Sequence, residues 1–165
     1  MRTALTSLAL AAALAAPAAH RATEPPRDKA DCAIQVGAGD LAAQGKDLVV
    51  EGGRKLHQAV ALSGDVVLKA GADVEEAAAL GGSVVVEAGA RAGKVLAVGG
   101  DVRVEAGGRV SGEATAFGGK LRIAPGGEVG GAQNALDLSL NGVELGKRVK
   151  AEIRARGLCR VERKD

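Results

Sequence analysis

The stretch GGDVRVEAGGRV at residues 99–110 is one copy of a unit that recurs along the chain and decides its fold. Successive strong copies start 18, 18 and 19 residues apart: SGDVVLKAGADV from Ser63, GGSVVVEAGARA from Gly81, the quoted copy, and GGKLRIAPGGEV from Gly118. Two weaker copies, from Gly45 and Leu136, bring the total to about six. A fixed period of this length is typical of solenoids, in which each repeat stacks on the next.

A finer period of six residues runs inside each copy. Apolar residues occupy every sixth position from Val50 to Val110, and after a one-residue insertion the series continues from Phe117 to Val129. Three intervals of six make one 18-residue turn, which predicts a coil with three short strands per turn.

The local pattern favours strands over helices. Val102 and Val104 flank the charged Arg103, which is the alternation of a half-buried strand, and the glycines between strands suit corners. A helix would contain Gly-Gly pairs at about 1 kcal/mol per glycine, and a period of six gives it no apolar face. The sequence therefore predicts an all-β fold, a single-stranded triangular β-solenoid of about 18 residues per turn and about six turns, at residues 32–145.

The composition agrees with a narrow core and excludes several classes of protein. The chain has 165 residues with 25 glycines, no Trp or Tyr, and one aromatic residue, Phe117. Glycine does not fall at every third position, so a collagen triple helix is excluded. With 22 basic and 20 acidic residues and few aromatic rings for stacking, nucleic acid is not an expected partner.

Both ends of the sequence differ from the repeat. Residues 1–18 contain an early positive charge, a short apolar run and the sequence Ala16-Pro17-Ala18, which together predict a secretory signal peptide. The run is too short for a transmembrane helix of about 20 residues, so no membrane span is expected and the mature protein is predicted to be periplasmic or secreted. Residues 19–31 are predicted to be a polar linker. Residues 146–165 are predicted to be a basic C-terminal strand or cap, because VKAEIRAR alternates apolar and charged residues.

The iterated GGDVRVEAGGRV unit resembles the bactofilins, polymer-forming proteins of the bacterial cytoskeleton, over about residues 45–143. The resemblance implies a right-handed β-helix that polymerises end to end without nucleotide. A signal peptide and paired cysteines are not usual in that family, so the chain is expected to be an exported variant. Six-residue apolar spacing is also typical of left-handed hexapeptide-repeat proteins, many of which are acyltransferases. The right-handed coil is the preferred prediction.

No group of residues predicts catalysis, a cofactor or a metal. His57 is the only histidine within the repeat and is expected at a solvent-facing corner, whereas a hexapeptide acyltransferase needs a basic histidine in a cleft. VGAGDLAA from Val36 matches part of a dinucleotide-binding fingerprint, but a strand follows where that motif needs a helix. The calcium-binding repeat GGxGxDxUx has Asp where this unit has Val, so its oxygen ligands are missing.

Cys32 and Cys159 bracket the predicted solenoid, and disulfides persist in exported proteins. A bridge within one chain is the first choice, and it requires residues 140–159 to run back along the rod. A bridge between molecules stacked end to end is the second alternative, and two free thiols are the third.

Val49, Val67 and Val85 recur at 18-residue intervals and predict an exposed apolar stripe, which is a candidate interface. The expected function is an exported, non-enzymatic structural or scaffolding β-helix protein that associates end to end. The alternative is a monomeric envelope module that binds a protein or a glycan through such a stripe, and a hexapeptide-repeat acyltransferase ranks third.

Overall fold

The structure is a computed structural model that describes residues 32–136, 139–140, 143–156 and 159–163. The predicted signal peptide (residues 1–18) and polar linker (residues 19–31) lie outside the described residues. The described residues form strands and one helix, in the order β1 (Cys32–Val36), β2 (Leu41–Gln44), β3 (Leu48–Val50), β4 (Lys55–Leu62), β5 (Val66–Leu68), β6 (Asp73–Leu80), β7 (Val84–Val86), β8 (Arg91–Val98), β9 (Val102–Val104), β10 (Arg109–Val110), β11 (Ala114–Phe117), β12 (Leu121–Ile123), β13 (Glu128–Val129), β14 (Gln133–Leu136), β15 (Ser139–Leu140), β16 (Val143–Glu144), α1 (Leu145–Arg156) and β17 (Cys159–Arg163).

The strands β2 to β14 form a parallel β-solenoid of about five turns, which confirms the predicted fold class. Each early turn has one three-residue strand and one eight-residue strand, and pairing joins residues 18 apart in successive turns. The long strands bend: β6 pairs with β4 at Val74, leaves Glu75 out of the register and resumes at Glu76. A turn therefore has three faces, as the six-residue period predicted.

We name the faces by their strands. The first face consists of β3, β5, β7, β9 and β12, which form one sheet. The second face consists of the first two residues of β4, β6 and β8, followed by β10 and β13. The third face consists of β2, the last four residues of β4, β6 and β8, and then β11 and β14.

The core is a set of stacked ladders of small aliphatic residues. On the first face Val50, Leu68, Val86 and Val104 are at most 1% exposed and pair with one another through the turns. On the third face the inward positions are largely alanine, such as Ala79, which leaves no room for aromatic rings. Among the described residues no polar or charged residue is buried, so apolar burial and the backbone ladders hold the coil together.

The one-residue insertion lies at the corner between β10 and β11. Val110 pairs with Ala92, 18 residues earlier, whereas Ala114 pairs with Val95, 19 residues earlier. The extra residue therefore falls within residues 111–113. The next turn keeps the longer corner, because Ala114 in turn pairs with Gln133, again 19 residues away.

The C-terminal region differs from its prediction. Instead of a sixth turn, β15 and β16 pair with each other in antiparallel fashion, and the sequence between them is Asn-Gly, the dipeptide most typical of two-residue hairpins. The predicted strand over VKAEIRAR is wrong, because these residues belong to the helix α1. The alternation of apolar and charged residues also contains a spacing of four, which is typical of a helix. Leu145, Val149 and Ile153 share one helix face, and the intervening Lys, Arg, Ala and Glu are good helix formers.

The two ends of the described chain meet. Strand β17 pairs in parallel with β1, from Cys32 with Cys159 to Val36 with Arg163. β1 therefore belongs to this terminal pair and does not stack on β2, although the predicted solenoid boundary placed it in the coil.

Candidate functional site

The C-terminal end of the solenoid presents unpaired strand edges. Among the described residues β12 pairs only with β9, β13 only with β10, and β14 only with β11. In the last pair the amide of Ala114 donates to the carbonyl of Ala132, and that of Gly118 donates to the carbonyl of Leu136. Backbone groups alternate sides along a strand, so the N–H and C=O of Ala135 face away from β11. Among the described residues no strand lies on that side of β14, so these groups are available to another strand.

The same end exposes part of the core. Leu121, Ile123 and Val129 point inward but are only half-buried, because no further turn covers them. At the other end of the coil the corresponding inward residues Leu48 and Val50 are 8% and 0% exposed. The core is thus partly exposed at the C-terminal end of the coil and better covered at the N-terminal end, and we call these the open end and the closed end. Among the described residues β2 and β3 at the closed end are edge strands as well.

The C-terminal arm, which we define as α1 and β17, reaches the closed end of the coil. Val36 of β1 is buried, and β17 lies against β2 and β4. The inward alternation of β4 places Ala59 and Ala61 in the core and points Val60 and Leu62 outward, yet Val60 and Leu62 are only 6% and 3% exposed. Strand β17, paired with β1, therefore lies against the start of the third face, where these outward residues are buried.

Helix α1 lies along the corner between the third and first faces. Gly146 meets Gly118, Lys150 meets Gly99, and Ile153 meets Gly81. The helix rises about 10 Å from residue 146 to residue 153, and the two solenoid turns beside it also rise about 10 Å. Because of this match, each successive helical turn meets one corner. At Ser63, one turn further, the hydroxyl donates to the carbonyl of Ile153 at 3.4 Å.

An apolar ladder runs outward along the third face and becomes more exposed towards the open end. Its members pair in register from turn to turn and are Leu62, Leu80, Val98, Phe117 and Leu136. Leu62 is buried, Leu80 and Val98 are half-buried, and Phe117 and Leu136 are 38% and 50% exposed. The arm covers this ladder only in the early turns.

The predicted stripe on the first face is present as a ladder. Val49 pairs with Val67 and Val67 with Val85, and the series continues to Arg103. Val49 is 43% exposed, while Val67 and Val85 are half-buried. The three valines lie in the early turns, far from the open end, and Val49 belongs to the edge strand β3.

A polar ladder beside the first face was missed in the sequence. One oxygen of Asp47 accepts a hydrogen bond from the amide of Asp65, and Asp65 accepts one from the amide of Ser83, both at 2.8 Å. The amide of Asp101 donates to the Ser83 hydroxyl, and Asp101 in turn accepts from the amide of Lys120. The signal was the short polar residue two positions after the first corner residue in four successive turns, whose side chain satisfies an amide that the corner leaves free. These residues are Asp47, Asp65, Ser83 and Asp101.

The second face is a shallow groove lined by charged residues. Lys55, Asp73, Arg91, Arg109 and Glu128 follow one another in register along it. Arg109 Nε lies 3.0 Å from a Glu128 oxygen, and the two side chains are about 60% exposed. Pairs this exposed contribute little to stability, so this face is a solvated surface.

His57 lies at an exposed corner, as predicted. Its Nδ1 is 3.1 Å from a Glu75 oxygen, and its side chain is 80% exposed. The hydrogen bond that the His57 ring donates to Glu75 and the charge of that carboxylate raise the pKa of His57. Within the described ranges no group of three or more His, Cys, Asp or Glu residues could hold a metal ion.

Comparison of the chain with protein-family models, with curated proteins and with solved structures found no match. The described helix is not long and apolar enough to cross a membrane. The fold itself defines the class: a β-solenoid repeat protein whose C-terminal arm lies against its early turns.

Proposed function

We propose that this chain is an exported, non-enzymatic structural protein of the bactofilin-like kind, which self-associates through the open end of its solenoid. One observation carries the proposal: the last strands on all three faces have no further partner among the described residues. Free strand edges pair readily with other chains unless they are blocked. Here, they surround the half-buried Leu121, Ile123 and Val129, which a second coil would cover.

The residues at this end do not oppose association. Natural proteins block free edges with inward charges or proline, whereas the inward positions at this end carry Leu121, Ile123, Val129, Gln133 and Ala135. The exposed Phe117 and Leu136 extend the apolar area around the rim on the third face. A contact of this kind combines backbone hydrogen bonds with apolar burial.

The test is sedimentation velocity of the mature chain from Ala19, with negative-stain microscopy, over a range of concentrations with and without reductant. Ala135→Pro removes an amide at the free edge and leaves the bonds to β11 intact. Ala135→Val at the same exposed position keeps the amide and serves as the matched control. We expect the wild-type chain and Ala135→Val to form larger species and Ala135→Pro to form fewer. A wild-type chain that stays monomeric at all concentrations would refute self-association.

A second candidate function rests on the ladder Val49, Val67 and Val85. Exposed valine in register on a flat strand face can bind an envelope protein or the apolar side of a glycan. Val49→Lys would remove the most exposed member and lies away from the open end. This candidate predicts that Val49→Lys abolishes capture of an envelope component and leaves the sedimentation of the chain unchanged. The first candidate predicts that Val49→Lys changes neither the capture nor the sedimentation.

A further inference from the structure

We propose that Cys32 and Cys159 form a disulfide within one chain, and that this bond fastens the C-terminal arm over the apolar ladder of the third face. The argument rests on the strand register, on the path of the arm and on the burial beneath it. It does not depend on the proposed self-association.

The register brings the two cysteines together. Cys32 and Cys159 are direct Cα partners at the first position of the parallel pair β1–β17, although they are 127 positions apart in the sequence. Neighbouring strands lie about 4.8 Å apart, which is within the Cα separation of about 4.4 to 6.8 Å that disulfides span. A bridge between chains would have to displace this pairing.

The arm supplies the return path that an intrachain bond requires. Helix α1 starts beside Gly118 in a late turn and reaches Gly81 and Ser63 in an early one. β17 then continues to β1, β2 and β4 at the closed end. The chain thus forms one large loop around the coil, and the proposed bond closes it.

The chemistry is a two-electron oxidation. Each thiol gives up one proton and one electron, the S–S bond forms, and a protein disulfide of the thiol-oxidoreductase class is reduced to its dithiol. Oxidised glutathione can take the place of this oxidant in vitro. Such oxidants act in the exported environment predicted from the sequence.

Besides closing the loop of chain between Cys32 and Cys159, the bond holds the arm over outward apolar residues of the third face. Val60 and Leu62 point outward but are buried, and β17 lies against β4, the strand that carries them. When the bond is reduced, the arm is held only by the strand pairing and by the contacts of α1. Its lifting would extend the exposed ladder from Phe117 and Leu136 towards Leu62.

The first experiment maps the bond in the monomer fraction. Trypsin without reduction should release residues 30–46 joined to residues 157–160, the peptides that contain Cys32 and Cys159. Chains labelled with ¹⁴N and ¹⁵N are refolded together with oxidised glutathione. The proposal predicts only cross-links of like isotope. Mixed cross-links, or cysteines fully alkylated by iodoacetamide without reductant, would overturn it.

The second experiment measures amide hydrogen exchange with and without reductant. Exchange in β17 and α1 should accelerate by about tenfold or more on reduction, while β5, β7 and β9 stay unchanged. The Cys32→Ala variant without reductant should match the reduced wild-type chain. Equal exchange in the arm in both redox states would show that the bond does not fasten it.

Discussion

Replacing Gly99 with alanine tests whether the helix α1 is packed on the solenoid corner as described. Gly99 has a φ of +73°, so any residue with a side chain is strained there by about 1 to 2 kcal/mol. In addition, a Cβ at this position would lie 3.1 Å from the amide nitrogen and 3.2 Å from the Cα of Lys150. The helix backbone would have to move, and overpacking of this kind adds about 1 to 3 kcal/mol.

Gly45 is the matched control, because it occupies the same corner with a φ of +72° but meets no atom within 4 Å. Urea unfolding should show that Gly45→Ala loses about 1 to 2 kcal/mol and Gly99→Ala about 2 to 5 kcal/mol. Hydrogen exchange in α1 should accelerate in Gly99→Ala alone. If the two variants lose the same free energy and the exchange of α1 is unchanged in both, α1 does not lie against this corner.

Three further predictions concern the ladders and the arm. Cys32→Ala and Cys159→Ala should each lower the free energy of unfolding by about 2 to 5 kcal/mol without reductant, since a loop of 127 residues is released. The double variant should lose no more than either single variant, and additive losses would contradict a shared bond. Asp65→Ala should lose about 1 to 2 kcal/mol by leaving the amide of the next turn without its acceptor, whereas Asp65→Asn should retain most of the stability in urea unfolding. Hydrogen bonds from Thr115 and then Asn134 lower the pKa of Glu113, so Thr115→Val should raise that pKa in a carboxyl-carbon NMR titration. A lowered pKa stabilises the fold at pH values above the pKa of the unfolded chain, so the stability gap between wild type and variant should close as the pH falls through the folded pKa.

The coil could be predicted from the sequence because each turn contacts only the turns next to it, at a fixed spacing along the chain. Once residues 18 apart are neighbours, the ladders of Val50 and of Val49 follow from spacing alone. The exposed corner position of His57 followed in the same way. A constant period carries no information about the hand of the coil, and the right-handed form stays a prediction.

The arm could not be predicted, because its contacts are not periodic. VKAEIRAR fits a strand and a helix equally well in isolation, and tertiary packing on the glycine corner favours the helix. The β1–β17 pairing joins distant segments with no local sequence signal beyond their apolar residues. Only the presence of two cysteines hinted that the ends of the solenoid are connected.

The difference between the two ends limits how copies can stack. Head-to-tail growth needs an accessible edge at both ends. Among the described residues β2 and β3 are edge strands at the closed end, but β17 lies against β2, and the inward residues Leu48 and Val50 are covered there. If the proposed self-association occurs, the better-exposed core at the open end favours contact between two open ends, in a symmetric arrangement that stops at two copies. Continued growth would require the arm to lift from the early turns. Because the proposed disulfide opposes that movement, the oxidised chain should form pairs, and longer assemblies should form only after reduction.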